Sequence, residues 1–371
     1  MKLVLQTAPY IRKNVSVKRM MLDVIIALMP VTLFAMIYNG WNGIYVILIS
    51  LLTMISCELI CNMFIKWPKD MKIKELFTKE GFKKVKATYT INNLTAPTIS
   101  ALIYALILPA GVDGYVVFVG ALFGMLIGKM VFGGLGKNIF NPAAAGRIFV
   151  GICFGTALGN AYPISDAYAG ATPLGYTKTA QGLALNACGN YSLWDLFIGN
   201  IPGCMGEVCA VCILVGAIYL FIRRSADLRA ALAYLLSFAV VMLNACITFF
   251  AVTHTGNVFE MFMYQMLSGG LLFGAVFMVT DPVTSGTTKF SRIMFGVVAG
   301  VLTAFIRIMG AYPEGVAFSI LIANMCAPCL DYLMRGKPNK YTWKQVLIVA
   351  IVIICSVGII IANVMYQGGA Y

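Results

Sequence analysis

Long runs of apolar residues, separated by short polar segments, extend along almost the whole of the 371-residue chain. A run of about 18 or more apolar residues is long enough to cross a lipid bilayer as one α-helix. The pattern predicts eleven such helices, near residues 21–38, 44–65, 93–109, 115–131, 142–158, 206–222, 230–250, 260–279, 293–309, 315–333 and 345–365. We therefore expect an all-α polytopic membrane protein.

Two of these apolar segments carry residues that interrupt helices. Residues 92–109 contain Pro97 near the membrane edge, and residues 268–286 open on glycines and end in a Thr-Asp-Pro turn. An interrupted span frees backbone amides and carbonyls, which is tolerable only where protein or a water-filled cavity satisfies them. The pattern therefore predicts broken helices.

A weak internal similarity indicates two related halves. Residues 124–146 align loosely with residues 300–320, which sets Lys129 opposite Arg307. With five spans in each half, the aligned stretches fall on opposite sides of the membrane, as in an inverted repeat. We divide the chain into a cytoplasmic N-terminus (1–20), a first membrane repeat (21–158), an outer loop (159–205), a second membrane repeat (206–333), and a basic inner loop with a C-terminal transmembrane helix (334–371).

Composition and charge support this architecture. Hydrophobic residues make up 60% of the chain and charged residues 11%, whereas soluble domains have about half and about a quarter. The net charge of +13 does not indicate nucleic-acid binding, because the basic residues flank apolar runs, as cytoplasmic loops do. With the N-terminus inside, nearly all of the 27 Lys and Arg residues fall in inner segments, and the outer loops hold only Lys178. We expect no cleavable signal peptide before the first span.

The eleven cysteines raise the question of a metal site. Cys209 and Cys212 have CxxC spacing, as do Cys326 and Cys329, but each pair lies inside or beside an apolar helical stretch. Zinc and iron–sulfur sites need ligands from several converging segments, and His254 is the only histidine. We expect structural packing for these thiols; a cluster at a subunit boundary is the alternative.

The predicted outer loop contains a small-residue segment with a hydroxyl. It reads Tyr168-Ala-Gly-Ala-Thr-Pro-Leu174, preceded by Asp166. Long outer loops on compact membrane proteins are often functional. The threonine of this segment, Thr172, is therefore a candidate for modification.

A second segment, on the inner side, is rich in glycine. Residues 128–142 read GKMVFGGLGKNIFNP, and three glycines in four residues allow close backbone approach to a flat ligand. Asn138 and Asn141 offer the donors and acceptors that an isoalloxazine or pteridine edge requires. The structural alternative is a tight turn with a helix start at Asn141-Pro142.

A third polar segment, residues 280–286, ends the second broken span. It is either a turn capped by Asp281 or part of an ion pathway or cofactor pocket, because broken helix ends supply oxygen ligands. Other ionisable residues lie at membrane depth, namely Asp23, Glu58, Lys129, Arg147 and Arg307.

Charges at membrane depth are functional candidates by default. Glu58, Lys129 and Arg307 could form an ion pathway. They could equally form structural ion pairs, for instance Glu58 with Lys129 or with Arg307.

These segments resemble the family that joins the D-type membrane subunit of the Rnf electron-transport complexes to the B-type subunit of the Na⁺-translocating NADH:quinone reductase. The similarity covers roughly residues 20–335, and its most specific stretch is GKMVFGGLGKNIFNPAAAGRIF (128–149). NIPGCMGE (200–207) and FMVTDPVTSG (277–286) match in the same order. The resemblance implies two inverted five-helix halves, which agrees with the internal repeat.

The resemblance also implies cofactors. In that family, a threonine of a (Ser/Thr)-Gly-Ala-Thr motif carries FMN through a phosphoester bond, and the matching residue is Thr172, beside Gly170 and Ala171 and downstream of Asp166. Ala169 replaces the usual hydroxyl residue. A second, non-covalent flavin (riboflavin) is implied in some members. For that flavin we select Gly136, Lys137, Asn138, Asn141 and Asp281.

The short segment before the first span favours the D-type Rnf subunit over the B-type quinone-reductase subunit. Rnf complexes couple electron flow between reduced ferredoxin and NAD⁺ to export of Na⁺ or H⁺. The implied partners are the other Rnf subunits, especially the outer-face FMN subunit and the small membrane subunits, in a bacterial or archaeal plasma membrane. Competing interpretations are a B-type quinone-reductase protein, a urea-type channel for small solutes with the same repeat, and an assembly subunit without flavin.

Overall fold

The protein is described by a computed structural model over residues 16–65, 92–161, 174, 192–207, 209–254, 256–310, 315–334 and 342–368. Regular structure within these ranges is helical, without a β-strand. The helices are α1 (Val17–Ile65), α2 (Asn92–Leu106), α3 (Gly114–Met125), α4 (Pro142–Cys153), α5 (Gly155–Asn160), α6 (Leu193–Ile198), α7 (Ala210–Arg223), α8 (Leu228–Thr253), α9 (Val258–Leu267), α10 (Leu271–Phe273), α11 (Lys289–Met309), α12 (Val316–Leu333) and α13 (Trp343–Gly368). Two π-helical turns, Leu126–Met130 and Gly274–Met278, continue α3 and α10.

The helices confirm the predicted polytopic, all-α class. Five described helices are long and apolar enough to cross a membrane, and a bent pair, Val258–Leu267 with Leu271–Met278, makes a sixth. Shorter apolar helices fill the other predicted positions (α2, α3, α4 and α7). Helix α1 covers the first two predicted spans and is kinked between them at Gly40, whose φ is 56°.

Of the two expected helix breaks, one is found in the described ranges. The bent pair turns by 54°, where Ser268 leaves the helix and Gly269 adopts a φ of 66°. Pro97, by contrast, lies inside the continuous helix α2. Its position near the start of α2 removes only a hydrogen bond close to the helix end, so the helix continues past it.

Small residues allow the helices to pack closely. Helix α1 contacts α2, α3 and α7, and α8 contacts α11 and α13. A Cβ atom at Gly296 or Gly300 of α11 would collide with the backbone of α8 at Ala230 or Tyr234, so glycine permits this approach. The neighbours α3 and α4 pack together, as do α11 and α12, and α4 also contacts α12. The inverted relation between the two halves stays a prediction.

The short helix α6 lies in the segment predicted to be outside the membrane. It starts with a capping box, in which Ser192 and Asp195 bond to each other's backbone N–H groups. The Ser192 hydroxyl and backbone amide donate to the Asp195 carboxylate and hold its pKa below the ordinary value. Trp194 is two-thirds exposed on this helix, as aromatic residues at a membrane interface commonly are.

Candidate functional site

A cavity of about 500 Å³ lies where the predicted glycine segment meets the Thr-Asp-Pro segment. Small-molecule sites have volumes of about 300–1,000 Å³ and mostly apolar walls with a few polar groups. The cavity fits this description, because its walls come largely from apolar residues on several helical segments. Examples are Met20 and Val24 of α1, Ile99 and Ile103 of α2, Leu220 of α7, and Phe277 of the second π-turn.

The glycine segment forms one side of this cavity. Gly133, Gly134 and Gly136 all have positive φ, at 104°, 86° and 82°, a conformation that glycine adopts without strain. Gly136 and the buried Asn138 line the cavity. Lys137 is exposed and is not part of the described lining, so it is the one residue predicted from this segment that the structure leaves outside.

Asn141 has the structural role that the alternative interpretation gave it. Its Oδ1 accepts hydrogen bonds from the backbone N–H groups of Ala143, at 3.0 Å, and Ala144, at 3.5 Å. Pro142 follows at the first helical position, so the pair starts α4. Asn141 also lines the cavity. Asn141 therefore both caps α4 and contributes to the cavity wall.

Asp281 lines the cavity from the other half of the chain. Its carboxylate accepts from the backbone N–H of Val283 at 3.1 Å and from the Thr284 hydroxyl at 3.0 Å. These bonds confirm that Asp281 caps a polar turn. The half-buried carboxylate is held rigidly at the cavity wall.

Asn324 connects the two polar segments, and sequence reasoning missed it. With its amide oriented to satisfy both ends, it donates to the Thr284 carbonyl at 3.2 Å and to the Ile320 carbonyl at 3.3 Å, and accepts from the Asn141 N–H at 3.1 Å. It is fully buried. An asparagine within an apolar run was the only available signal.

Lys129 and Glu58 form a buried ion pair. The Lys129 Nζ lies 2.5 Å from the Glu58 carboxylate, and the side chains are 3% and 1% exposed. This bond confirms one of the two ion pairs that the sequence left open. Lys129 sits on the π-turn Leu126–Met130 and also lines the cavity. π-turns occur frequently at functional sites.

The other membrane-depth acid, Asp23, belongs to a polar cluster that meets the cavity at Ser225. It accepts from the Ser225 hydroxyl at 2.5 Å and the Tyr219 hydroxyl at 3.2 Å, and pairs with Arg223 at 3.3 Å. This cluster joins α1 to the end of α7. Its contacts are those of a structural joint.

Arg307 lies at the far end of α11, about 27 Å from the helix start at 1.5 Å per residue. Its guanidinium donates to the carbonyls of Gln265, at 2.6 Å, and Ser268, at 3.1 Å, and lies 5.0 Å from the centre of the Phe238 ring. Arg307 therefore caps the C-terminal end of α9 at the helix break. Lys129 and Arg307, aligned in the sequence, thus have different partners.

The predicted covalent site falls outside the described residues, because Asp166, Gly170, Ala171 and Thr172 all lie in a range that the structure does not describe. Leu174 is described and is 3% exposed. A Cβ atom at Gly269 would lie 2.5 Å from the Leu174 Cδ1 and 3.1 Å from the Arg307 Nη2. Leu174 is therefore packed against the helix break beside Arg307.

None of the described cysteines forms a disulfide. The sulfurs of Cys209 and Cys212 lie 3.3 Å apart, and Cys204 is 3.9 Å from Arg147 Nη2. Within the described ranges, no group of three or more His, Cys, Asp or Glu residues could hold a metal ion.

Comparison with known proteins decides the family. The model of the NQR2, RnfD, RnfE family matches residues 4–340. The chain belongs to this family. It is 30% identical to the D-type subunit of the Na⁺-translocating ferredoxin:NAD⁺ oxidoreductase complex of Acetobacterium woodii over 341 residues, which is 91% of this chain and 95% of that protein. The D-type subunit of the ion-translocating oxidoreductase complex of Stutzerimonas stutzeri is 29% identical over 354 residues, which covers 88% and 92% of the two chains.

Members named for the quinone reductase match a shorter part. The B-type subunit of the Na⁺-translocating NADH-quinone reductase of Chromohalobacter salexigens is 39% identical over 253 residues, 67% of this chain. The chain spans about three fifths of the length of such relatives. The family membership and the set of apolar helices make this chain a multi-pass membrane protein of the NQR2, RnfD, RnfE family.

Proposed function

We propose that the chain is the D-type subunit of an Rnf complex, a ferredoxin:NAD⁺ oxidoreductase that exports Na⁺ or H⁺. The observation that carries this choice is the match to the Acetobacterium woodii protein along 91% of this chain and 95% of that protein. The local identity to the B-type quinone-reductase protein of Chromohalobacter salexigens is higher, at 39%, but covers 60% of that protein. A match that covers nearly all of both proteins is stronger evidence for the type of subunit than a higher identity over part of one protein.

Thr172 is the proposed attachment site of FMN, together with Asp166, Gly170 and Ala171. A phosphoester needs a side-chain hydroxyl, and Thr172 supplies one in the Gly-Ala-Thr context. Leu174, two residues further along the chain, is buried at the helix break.

The cavity is the proposed site of riboflavin. Its volume of about 500 Å³ and its apolar walls suit a flat tricyclic ring. Lys129, Asn138, Asn141 and Asp281 supply polar groups at its edge, and Gly136 leaves open space. Bound flavin supplies one- and two-electron transfer, and the residues supply position and electrostatics.

The candidate ion pathway combines the Glu58–Lys129 pair with Asp281. Glu58 is buried and Asp281 half-buried, and carboxylates shielded from water beside a cavity are suitable cation or proton positions. The sequence also places Arg307 in this pathway, but its contacts with the Gln265 and Ser268 carbonyls favour a supporting role at the helix break.

The proposed setting is the plasma membrane, with the N-terminus in the cytoplasm and other Rnf subunits as partners. A cysteine introduced at Lys79 should be labelled by an impermeant thiol reagent only from the cytoplasmic side, and one at Lys178 only from outside, because basic segments stay inside. Labelling of both positions from one side would contradict this orientation.

The decisive test replaces Thr172, the proposed attachment residue for FMN. Thr172→Val nearly preserves the shape of threonine and removes its hydroxyl, so flavin fluorescence that survives a denaturing gel should disappear. Electron transfer through the assembled complex should stop with it. Thr172→Ser keeps a hydroxyl and should retain part of the modification.

Thr177→Val and Thr179→Val are the matched controls, because they lie in the same segment without the Gly-Ala context. Both should keep the fluorescent band. A fluorescent Thr172→Val band would show that the attachment site is wrong.

A further inference from the structure

Two oppositely charged side chains, one from each half of the chain, face the same apolar cavity. Of the described residues that line it, only Lys129 and Asp281 carry a charge. An apolar wall strengthens hydrogen bonds to charged groups, because water does not compete with them. The pair is therefore placed to fix the orientation of whatever the cavity binds.

Lys129 is held in place from outside the cavity. One of its three N–H groups is taken by Glu58 at 2.5 Å, and the pair is almost completely buried. An ammonium group has three donors, so two remain for a ligand. The ion pair thus fixes the direction of a donor at the cavity wall.

Asp281 is held in the same manner. Each of its oxygens accepts one hydrogen bond, from Val283 N–H and from the Thr284 hydroxyl. An ionised carboxylate has about four acceptor positions. Acceptor capacity therefore remains on a side chain whose rotamer is already set.

We propose that Lys129 and Asp281 together recognise the imide edge of the flavin in this cavity. The Lys129 ammonium donates to a ring carbonyl oxygen, and the Asp281 carboxylate accepts from the ring N3–H. An imide presents an acceptor beside a donor, which complements this donor and this acceptor. The inference rests on the proposed riboflavin site.

Equilibrium dialysis of the purified chain, depleted of non-covalent flavin, tests the assignment with riboflavin and 3-methylriboflavin. The methylated probe keeps both carbonyls and lacks the N3–H. The unaltered chain should bind riboflavin about tenfold or more tightly than the methylated probe, because the probe leaves the Asp281 acceptor facing a methyl group.

Three variants and one control separate the roles of the charged residues. Asp281→Ala should remove the preference between the probes, and Asp281→Asn, which can still accept from Val283 N–H and preserve the turn, should reduce it. The double variant Glu58→Gln/Lys129→Met should weaken both probes by a similar factor and keep the preference, since both probes retain the carbonyls. Lys137→Ala, exposed on the same loop, should change neither.

Equal binding of both probes by the unaltered chain would overturn this recognition while leaving the riboflavin site standing. A chain that binds neither probe would overturn both. A preference that survives in Asp281→Ala would assign the N3–H contact to a different acceptor.

Discussion

Replacing Arg307 by methionine should destabilise the protein strongly, because this side chain satisfies the backbone at the helix break. Its guanidinium holds the carbonyls of Gln265 and Ser268 at 2.6 and 3.1 Å, and stacks on Phe238. Methionine fills much of the same volume and provides no donor. Both carbonyls would then face an apolar interior.

The magnitude follows from these contacts. A hydrogen bond to a charged group contributes about 1.5–3 kcal/mol, whereas hydrogen bonds between membrane helices average about 0.6 kcal/mol. Two bonds and a cation–π contact of about 1 kcal/mol therefore predict a loss of about 2–7 kcal/mol in Arg307→Met. Arg307→Lys keeps the charge and loses the forked geometry, so about half of that loss is expected.

Unfolding in mixed detergent with increasing dodecyl sulfate can be followed through the thiols, because the fully buried Cys204 and Cys246 become reactive only on unfolding. Arg229→Met is the control, since Arg229 is exposed at the start of α8 and should change stability by less than about 0.5 kcal/mol. If Arg307→Met unfolds at the same detergent composition as Arg229→Met, the capping role is wrong.

Two further predictions concern the cavity. Lys129→Met should cost about 3–5 kcal/mol because it leaves the buried Glu58 charge unpaired, and adding Glu58→Gln should restore most of that loss in the same unfolding assay; a double variant as unstable as the single one would contradict this. Asn138→Ala should lower the non-covalent flavin content measured after acid extraction, while Lys137→Ala, exposed beside it, should not. Equal flavin in both variants would leave the glycine segment a purely structural turn.

Hydropathy alone predicted where the apolar helices lie, because a bilayer-spanning helix needs only a long apolar run. It did not predict their lengths, since four of the predicted spans are helices of 10–17 residues. The break at Gly269 was predicted from local sequence, since glycine adopts the positive φ found there without strain. The break expected at Pro97 was wrong, because a proline near a helix start removes little. Local sequence identifies a residue that can interrupt a helix, but not where that residue lies within the helix that forms.

The partners of the buried polar residues were harder to predict. Glu58 is 71 positions from Lys129, and the choice between Lys129 and Arg307 depended on how α1 packs against α3. Asn324 joins two segments that precede it by about 40 and 183 positions, and no local pattern marks such a contact. The outer motif around Thr172 remains a prediction from the sequence.

The two π-turns make the cavity sensitive to the length of the chain. Each turn accommodates one residue more than an α-helical turn would, since its hydrogen bonds run from residue i to i+5. Deleting a single residue from Leu126–Met130 would let the segment relax to an α-helix, in which each residue advances the helix by about 100°. Lys129 would then turn away from Glu58 and the cavity although no side chain near it had been changed. An insertion or deletion of one residue there is thus a more severe change than most substitutions, and the spacing of the segment belongs to the site as much as its residues do.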